Sequence, residues 1–512
     1  AVSTPSATAV YYLLGSSDKI PDAPLLVITK SDSEARRLAD ELGTFFTGNV
    51  LWFPKRQLTF HDLEAESADM RAYRLKAVNA VMHEQNSVIV TSLEGLMTPL
   101  SDIKDIKETV LNVGDTLETN NFSEFAASIG YEHVSIVDGK GQLSIRGGII
   151  DIFPPYLDEP VRIELFDNEI DSIRTFDVIS QRSLEKIKQV RIMPASEYIL
   201  PENCADKMCG GILADMEACS KGLSTSAKEK LSSRVSNITS RISSGAHSVF
   251  YKNYTPYISD KRFTIADYCA NCKILFIEPE LALADYELYV KGCHQRFADM
   301  LEHGEVLPGQ IRLIPETDEV ISVINSRTWL CVKEFQSAYK HIVPQELVKL
   351  EAKPVNQYSG NFEALMSDII EWRKNPVNVF MFTGNEKRAL LLKQHFSDNG
   401  ISPVIISNLS DAKARDRDSN GRLPLFIVKD HLSEGCVCED AVLLGDSDIF
   451  GAAKKTSHAK RSSKPIKSFT DLTIGSYVVH ETHGIARFLG IQANEISGKK
   501  QDYLVLEYAG SD

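Results

Sequence analysis

The stretch from Arg146 to Arg182 most constrains what this chain can fold into. Arg146-Gly-Gly-Ile-Ile-Asp-Ile-Phe-Pro-Pro155, Val161-Arg-Ile-Glu-Leu-Phe166 and Ile173-Arg-Thr-Phe-Asp-Val-Ile-Ser-Gln-Arg182 are short β-prone runs cut by turn signals. Arg162 alternates with the apolar Val161 and Ile163, and Arg162 and Phe166 stand an even number of residues apart, so both face one side of a strand. With Arg146, the pattern predicts a sheet face carrying two guanidinium groups and an exposed aromatic. Arginines offer planar forks to carboxylates, and arginine and aromatic side chains are favoured interface anchors. The alternative, Phe166 in the core with the arginines as ordinary surface charges, is the more economical reading of these residues alone.

The flanks have a different rhythm. Residues 1–111 alternate strand and helix: strand Leu25–Thr29, helix Ser31–Phe46 with Ser31 as N-cap, strand Val50–Phe53 stopped by Pro54, helix Asp69–His83, strand Ser87–Thr91 and a short helix Leu93–Leu100. Such alternation implies a parallel sheet. Residues 112–195 read as a small antiparallel α+β unit. Its helix is Asn121–Ile129 and its strands are Ser135–Val137, Leu143–Ile145, Ile149–Phe153, Val161–Phe166 and Glu169–Thr175.

Residues 196–330 return to helix, with Leu231, Val235, Ile238 and Ile242 at helical spacing, a buried strand Lys273–Ile277 and a last strand at Arg312–Pro315. A further α/β unit occupies 345–451, with strands Val377–Phe382, Pro403–Ile406, Leu425–Val428 and Ala441–Leu444 and helix Glu386–Asn399. Residues 452–469 are basic and serine-rich, as suits a solvated linker. From 470 the chain turns to β again, with Val478, Val479, Ile485, Phe488 and Leu489 as the expected core. It breaks off after Tyr503–Tyr508, so this last domain reads as truncated.

Bulk properties exclude several classes. A chain of 512 residues exceeds a single core. The net charge of −14 disfavours general nucleic-acid binding. No apolar run approaches the ~20 residues that span a bilayer, and no leader is visible at the N-terminus, so a soluble cytoplasmic protein without membrane partners is expected. The nine scattered cysteines fit reduced thiols.

Four blocks carry a family resemblance. They are Phe53-Pro54 through Arg71–Leu75 to Val88–Ser92; Arg146–Arg182; Ile265–Tyr268 with Leu275–Pro279; and Gly475–Gly490 with Asp502–Gly510. The first three are similar to the excision-repair protein UvrB. The fourth resembles the polymerase-interacting domain shared by CarD-like proteins and the transcription-repair coupling factors. In this order the blocks resemble the bacterial transcription-repair coupling factors, as a region lacking the family's ATP-driven DNA translocase.

The resemblance implies a multidomain α/β architecture. Residues 1–111 and 196–330 would form a degenerate P-loop NTPase (UvrB-like) α/β domain with 112–195 inserted as an α+β domain. A small α/β domain and a truncated Tudor/SH3-like β-barrel would follow. It also implies UvrA binding through Arg146, Arg162 and Phe166, with Arg174 and Arg182 as weaker candidates. Docking on the RNA polymerase β subunit would use residues among Ile491, Ile496, Leu504 and Leu506. ATP, Mg and DNA are expected to engage only the absent translocase.

No GxxxxGK[ST] phosphate loop occurs. The equivalent region offers Gly15-Ser-Ser-Asp-Lys19, and Glu278-Pro-Glu280 stands where an acidic metal-binding pair would fall. The chain is therefore expected to be non-catalytic, without cofactor or metal. Asp416–Gly421 begins like a calcium loop but has Ile427 where a glutamate is required. Cys269 and Cys272 lack a second pair at zinc-finger distance, and His480 and His483 read as packing and turn residues. The rival readings are an active UvrB-like ATP-dependent helicase and a direct DNA-binding scaffold.

Overall fold

Leu25–Thr29 is buried at every position, as a strand covered on both faces must be. It lies within a seven-stranded sheet ordered Val348–Lys349, Val2–Ser3, Trp329–Lys333, Lys273–Ile277, Leu25–Thr29, Val88–Ser92, Val50–Trp52, with every adjacent pair parallel. The computed structural model describes residues 2–4, 6–16, 23–46, 48–60, 67–84, 86–199, 201, 204–243, 249–269, 271–334, 340–374, 377–407, 409–412, 424–451, 477–480, 484–496 and 499–508. Among these, no helix is long and apolar enough to cross a membrane.

A second sheet runs Lys353–Pro354, Cys436–Val437, Ala441–Leu444, Asn378–Phe382, Leu425–Val428, Val404–Ile406, with its last four strands parallel. Helices Phe362–Trp372 and Glu386–Asp398 cover its outer face through Leu365, Ile369, Leu392 and Phe396. Its inner face has a different cover. Phe380, Phe382 and Phe426 share one core with Val10 and Tyr12 of helix Ala7–Ser16, Leu38 and Leu42 of helix Asp32–Leu42, and Val27, Val90 and Leu275 of the first sheet. Phe45 stacks on Phe382 at 6.0 Å between ring centres. Two helices are thus sandwiched between two sheets. On its other face the first sheet packs against helices Ala68–His83, Pro279–Glu302 and Thr317–Asn325.

Between the two stretches that build the seven-stranded sheet comes a six-stranded one. Its order is Ser183–Ile187, Glu169–Phe176, Val161–Phe166, Ile149–Ile152, Gln142–Arg146, Glu132–His133, antiparallel except for the last pair. Leu143, Ile150, Ile152, Val161, Ile163 and Ile173 bury one face against Phe122 and Ala126 of helix Thr119–Ser128. Burying each such aliphatic side chain contributes about 1.5–3 kcal/mol.

A buried ion triad ties this unit to the first sheet's helices. Glu197 accepts from Arg74 and from Arg56, and both Arg74 and Glu197 are almost wholly buried. The Arg56 guanidinium also lies over the Tyr198 ring at 4.4 Å.

Several local expectations are corrected. Ser135–Val137 is not a strand: its carbonyls serve side chains, with Ser135 O accepting from Ser144 Oγ and Val137 O from Gln181 Nε2. Ser183–Ile187 escaped notice because an edge strand exposed along nearly its whole length shows no alternation. Arg312–Pro315 follows Pro308-Gly309 into a 3-10 turn, Pro308–Leu313, and the expected last strand is Trp329–Lys333. The helix at Leu93 ends at Leu96, since Pro99 disfavours helical backbone just before it.

The chain's last described element is a three-stranded antiparallel sheet, Tyr477–His480, Gly484–Ile496 and Lys499–Tyr508. Val478, Ala486 and Phe488 form its small core, with Leu506 and Tyr508 packed on it. Ile485 is 66% exposed and Leu489 is exposed too, contrary to expectation. Ile485 has the opposite parity to Ala486 and Phe488, and Leu489 is the extra residue of a bulge between Phe488 and Gly490. The basic 452–469 run lies outside the described residues.

Candidate protein-docking face

Two tight hairpins put Arg146 and Phe166 on one rim. Arg146 pairs with Ile149 across a two-residue turn with Gly147 at φ +60°, and Phe166 pairs with Glu169 across Asp167-Asn168 with Asp167 at φ +57°. Glycine and aspartate are residues that tolerate this left-handed backbone in such turns. The Leu165 N–H donates to Gly148 O at 2.7 Å, which stitches the two hairpins together.

The face opposite the helix carries a row of register partners, Ser144, Asp151, Arg162 and Arg174. Asp151 is the centre of this row and is completely buried. Its Oδ1 accepts from Arg162 Nε at 2.6 Å, and its Oδ2 from Arg162 Nη2 at 2.9 Å and Arg146 Nη2 at 2.7 Å. Arg162 also donates to Gln181 O at 3.3 Å and lies over the Phe176 ring at 4.7 Å. The hydrogen bonds to Asp151 hold its guanidinium more firmly protonated than usual. Beside it, Glu164 accepts from Ser172 Oγ at 2.5 Å and pairs with Arg174 at 3.3 Å.

Gln181 adopts a left-handed φ of +56°. Its side-chain amide donates to Val137 O at 3.1 Å and Val178 O at 2.8 Å, which pins the 177–182 connection over one end of the face. The covered end holds Val137, Phe153 and Phe176. The open end holds Arg146, Ile149 and Phe166.

Phe166 is 80% exposed, so the economical reading of a core phenylalanine fails. Arg146, with 48% of its side chain exposed, and Arg162 converge on one carboxylate. Arg162 differs from expectation: it is on the predicted face, but only 16% of its side chain is exposed. Arg174 belongs to the Glu164 network, and Arg182 is exposed on the 177–182 connection. The residue the sequence reading passed over is Asp151. Its signal was a lone acid inside the Ile-Ile-Asp-Ile-Phe run, but its partner depends on strand register.

In the terminal sheet, Ile491 stands opposite Leu504 and Ile496 opposite Lys499. Leu506 stands opposite Phe488 and packs, half-buried, on the sheet's own core. Tyr477 and Ile485, overlooked as surface, are both exposed.

Glu278 and Glu280 directly follow the buried strand Lys273–Ile277, whereas residues 17–19 of the Gly15–Lys19 stretch lie outside the described residues. Gly15 lies in the last turn of helix Ala7–Ser16, where a Cβ would come within 2.3 Å of Phe45 O, so it serves close packing. The first strand-to-helix turn instead falls between Ser3 and Ala7. Glu278 accepts from the Glu334 N–H at 2.5 Å and Glu280 from the Lys340 N–H at 2.9 Å, so both carboxylates cap backbone. No group of three or more His, Cys, Asp or Glu placed to hold a metal occurs among the described residues. The calcium-like run 416–421 and His483 lie outside them.

A family model described as the UvrB interaction domain matches residues 110–198, which contain the whole docking face. Another, the CarD-like/TRCF RID domain, matches residues 472–512. The chain is 28% identical over 502 residues to the transcription-repair-coupling factor of Bacillus subtilis (strain 168), covering 96% of this chain and 42% of that protein. The factor of Staphylococcus haemolyticus is 25% identical over 499 residues, and that of Staphylococcus aureus (strain bovine RF122 / ET3-1) 26% over 498, each covering 95% of this chain and 42% of the relative. The chain thus spans about two-fifths of the length of these relatives.

Proposed function

We infer that this chain is the region of a transcription-repair-coupling factor that gathers its protein partners: UvrA on the Phe166 face and the β subunit of RNA polymerase on the terminal sheet. One observation carries the first assignment. An aromatic ring is held in solvent on the same rim as a half-exposed arginine, inside the stretch matched to the UvrB interaction domain. A large apolar side chain at 80% exposure, beside a guanidinium braced from below, fits an acidic protein surface with an apolar pocket.

In this reading the seven-stranded sheet is a degenerate P-loop scaffold into which the β-rich unit is inserted, and the terminal sheet is part of a Tudor/SH3-like barrel. ATP, Mg and DNA translocation belong to parts of these factors that the chain does not span. The polymerase surface takes in the Ile491/Leu504 region and the exposed Tyr477 and Ile485.

The test is binding of the purified chain to UvrA. Phe166→Ala and Arg146→Ala should each weaken it about tenfold or more, and wild-type affinity in both variants would defeat the assignment. ATP hydrolysis by this chain alone would instead favour the UvrB-like helicase reading.

A further inference from the structure

We propose that Asp151 is the positioning residue of the docking face, acting on the partner only through Arg146; this rests on the docking reading above. Asp151 is wholly buried, so its carboxylate cannot touch a partner. Yet Oδ2 is shared between Arg162 Nη2 and Arg146 Nη2, at 2.9 and 2.7 Å.

Asp151 cannot swing away from this task. Arg162 grips both of its oxygens and is itself fastened by the Gln181 carbonyl and the Phe176 ring. The chain of restraint runs from Gln181 through Arg162 and Asp151 to Arg146. Arg146 is the half-exposed end of that chain, with one nitrogen engaged by Asp151 and an outward edge left to meet carboxylates. A free arginine samples many rotamers and loses that freedom on binding. One already oriented loses less, so the partner is held more tightly.

This role has a signature that bulk charge does not share. Neutralising Asp151 makes the face more positive. If the face worked only by attracting an acidic partner, Asp151→Asn would strengthen binding. Positioning predicts the opposite sign. It also predicts that the loss passes through Arg146, so the two substitutions are coupled.

The experiment is a titration of purified UvrA against the whole chain at fixed salt, with thermal melting recorded for each variant. Asp151→Asn should weaken binding about tenfold in the wild-type background, but less than about twofold when Arg146→Ala is already present. Unchanged or tighter binding by Asp151→Asn overturns the proposal. So does an equal loss in both backgrounds, which is what a merely structural residue would show. If Asp151→Asn melts below the assay temperature, Asp151→Glu, which keeps the charge but displaces it by a methylene, undergoes the same comparison with the same criteria. Wild-type affinity in both Arg146→Ala and Phe166→Ala would instead defeat the docking reading itself.

Discussion

Asp151 and Arg162 face each other across adjacent strands and join through two hydrogen bonds, Arg162 Nε to Oδ1 at 2.6 Å and Nη2 to Oδ2 at 2.9 Å. Arg162 is therefore a structural arginine as much as a surface one. Arg162→Ala would strand a buried carboxylate with only Arg146 in reach. It should lower unfolding free energy by about 3 kcal/mol, the low end for removing one partner of a buried pair. Urea denaturation measures this, and a loss under about 1 kcal/mol would show the pair to be solvent-relaxed.

Phe166→Ala should behave in the opposite way. The ring touches little of its own chain, so stability should stay within about 0.5 kcal/mol of wild type, as for other exposed positions. A marked fall in melting temperature would mean that the ring packs where the structure leaves it free.

Glu197 accepts from both Arg56 and Arg74 in the buried triad. Glu197→Ala removes the buried carboxylate that Arg56 and Arg74 share and should cost about 3–5 kcal/mol. Co-expression yield and the denaturation midpoint both report it. A midpoint equal to wild type would show that water or a neighbour replaces the carboxylate.

Phe382 lies in the core shared by the two sheets and the two helices between them. Phe382→Ala should cost about 3–5 kcal/mol. The destabilisation should appear in the first sheet as well as in residues 345–451, because both sheets contribute to that one core. Hydrogen exchange would locate it. Loss confined to 345–451 would show the two sheets to be separable.

His431 Nδ1 forms an ion pair with Asp446 Oδ1 at 2.5 Å, with Glu41, Arg37 and Ser433 also nearby. The contact with Asp446 raises the imidazole above its ordinary range, against a smaller opposing effect of burial. A group whose folded value is raised contributes stability in full below its unfolded value, about pH 6.5. That contribution fades as pH rises through the folded value. Stability should therefore decline as pH rises above about 6.5, and His431→Gln should flatten that slope. An identical slope in the variant would assign the decline to other groups.

Much of this was legible in the chain itself. Runs such as Leu25–Thr29 and Lys273–Ile277 are apolar because both faces are covered, and that requirement is local to the strand. The parity of Arg162 and Phe166 is likewise a property of the strand alone, and it put both on one face. Ile485 shows the limit within a single strand. Apolarity suggested core, but its parity opposes that of Ala486 and Phe488, and pairing left it outside.

What residues 146–166 determined alone was the face: an aromatic and two arginines on turn-bounded strands, with the side each would take. Only the tertiary structure decided which guanidinium is half-exposed and which is mostly buried. Asp151 meets Arg162 because register aligns them, and Gln181 closes over Arg162 because a distant connection folds back across the sheet. Period-two alternation is written residue by residue, whereas register and cover are relations between segments far apart in the chain, and no single segment encodes them.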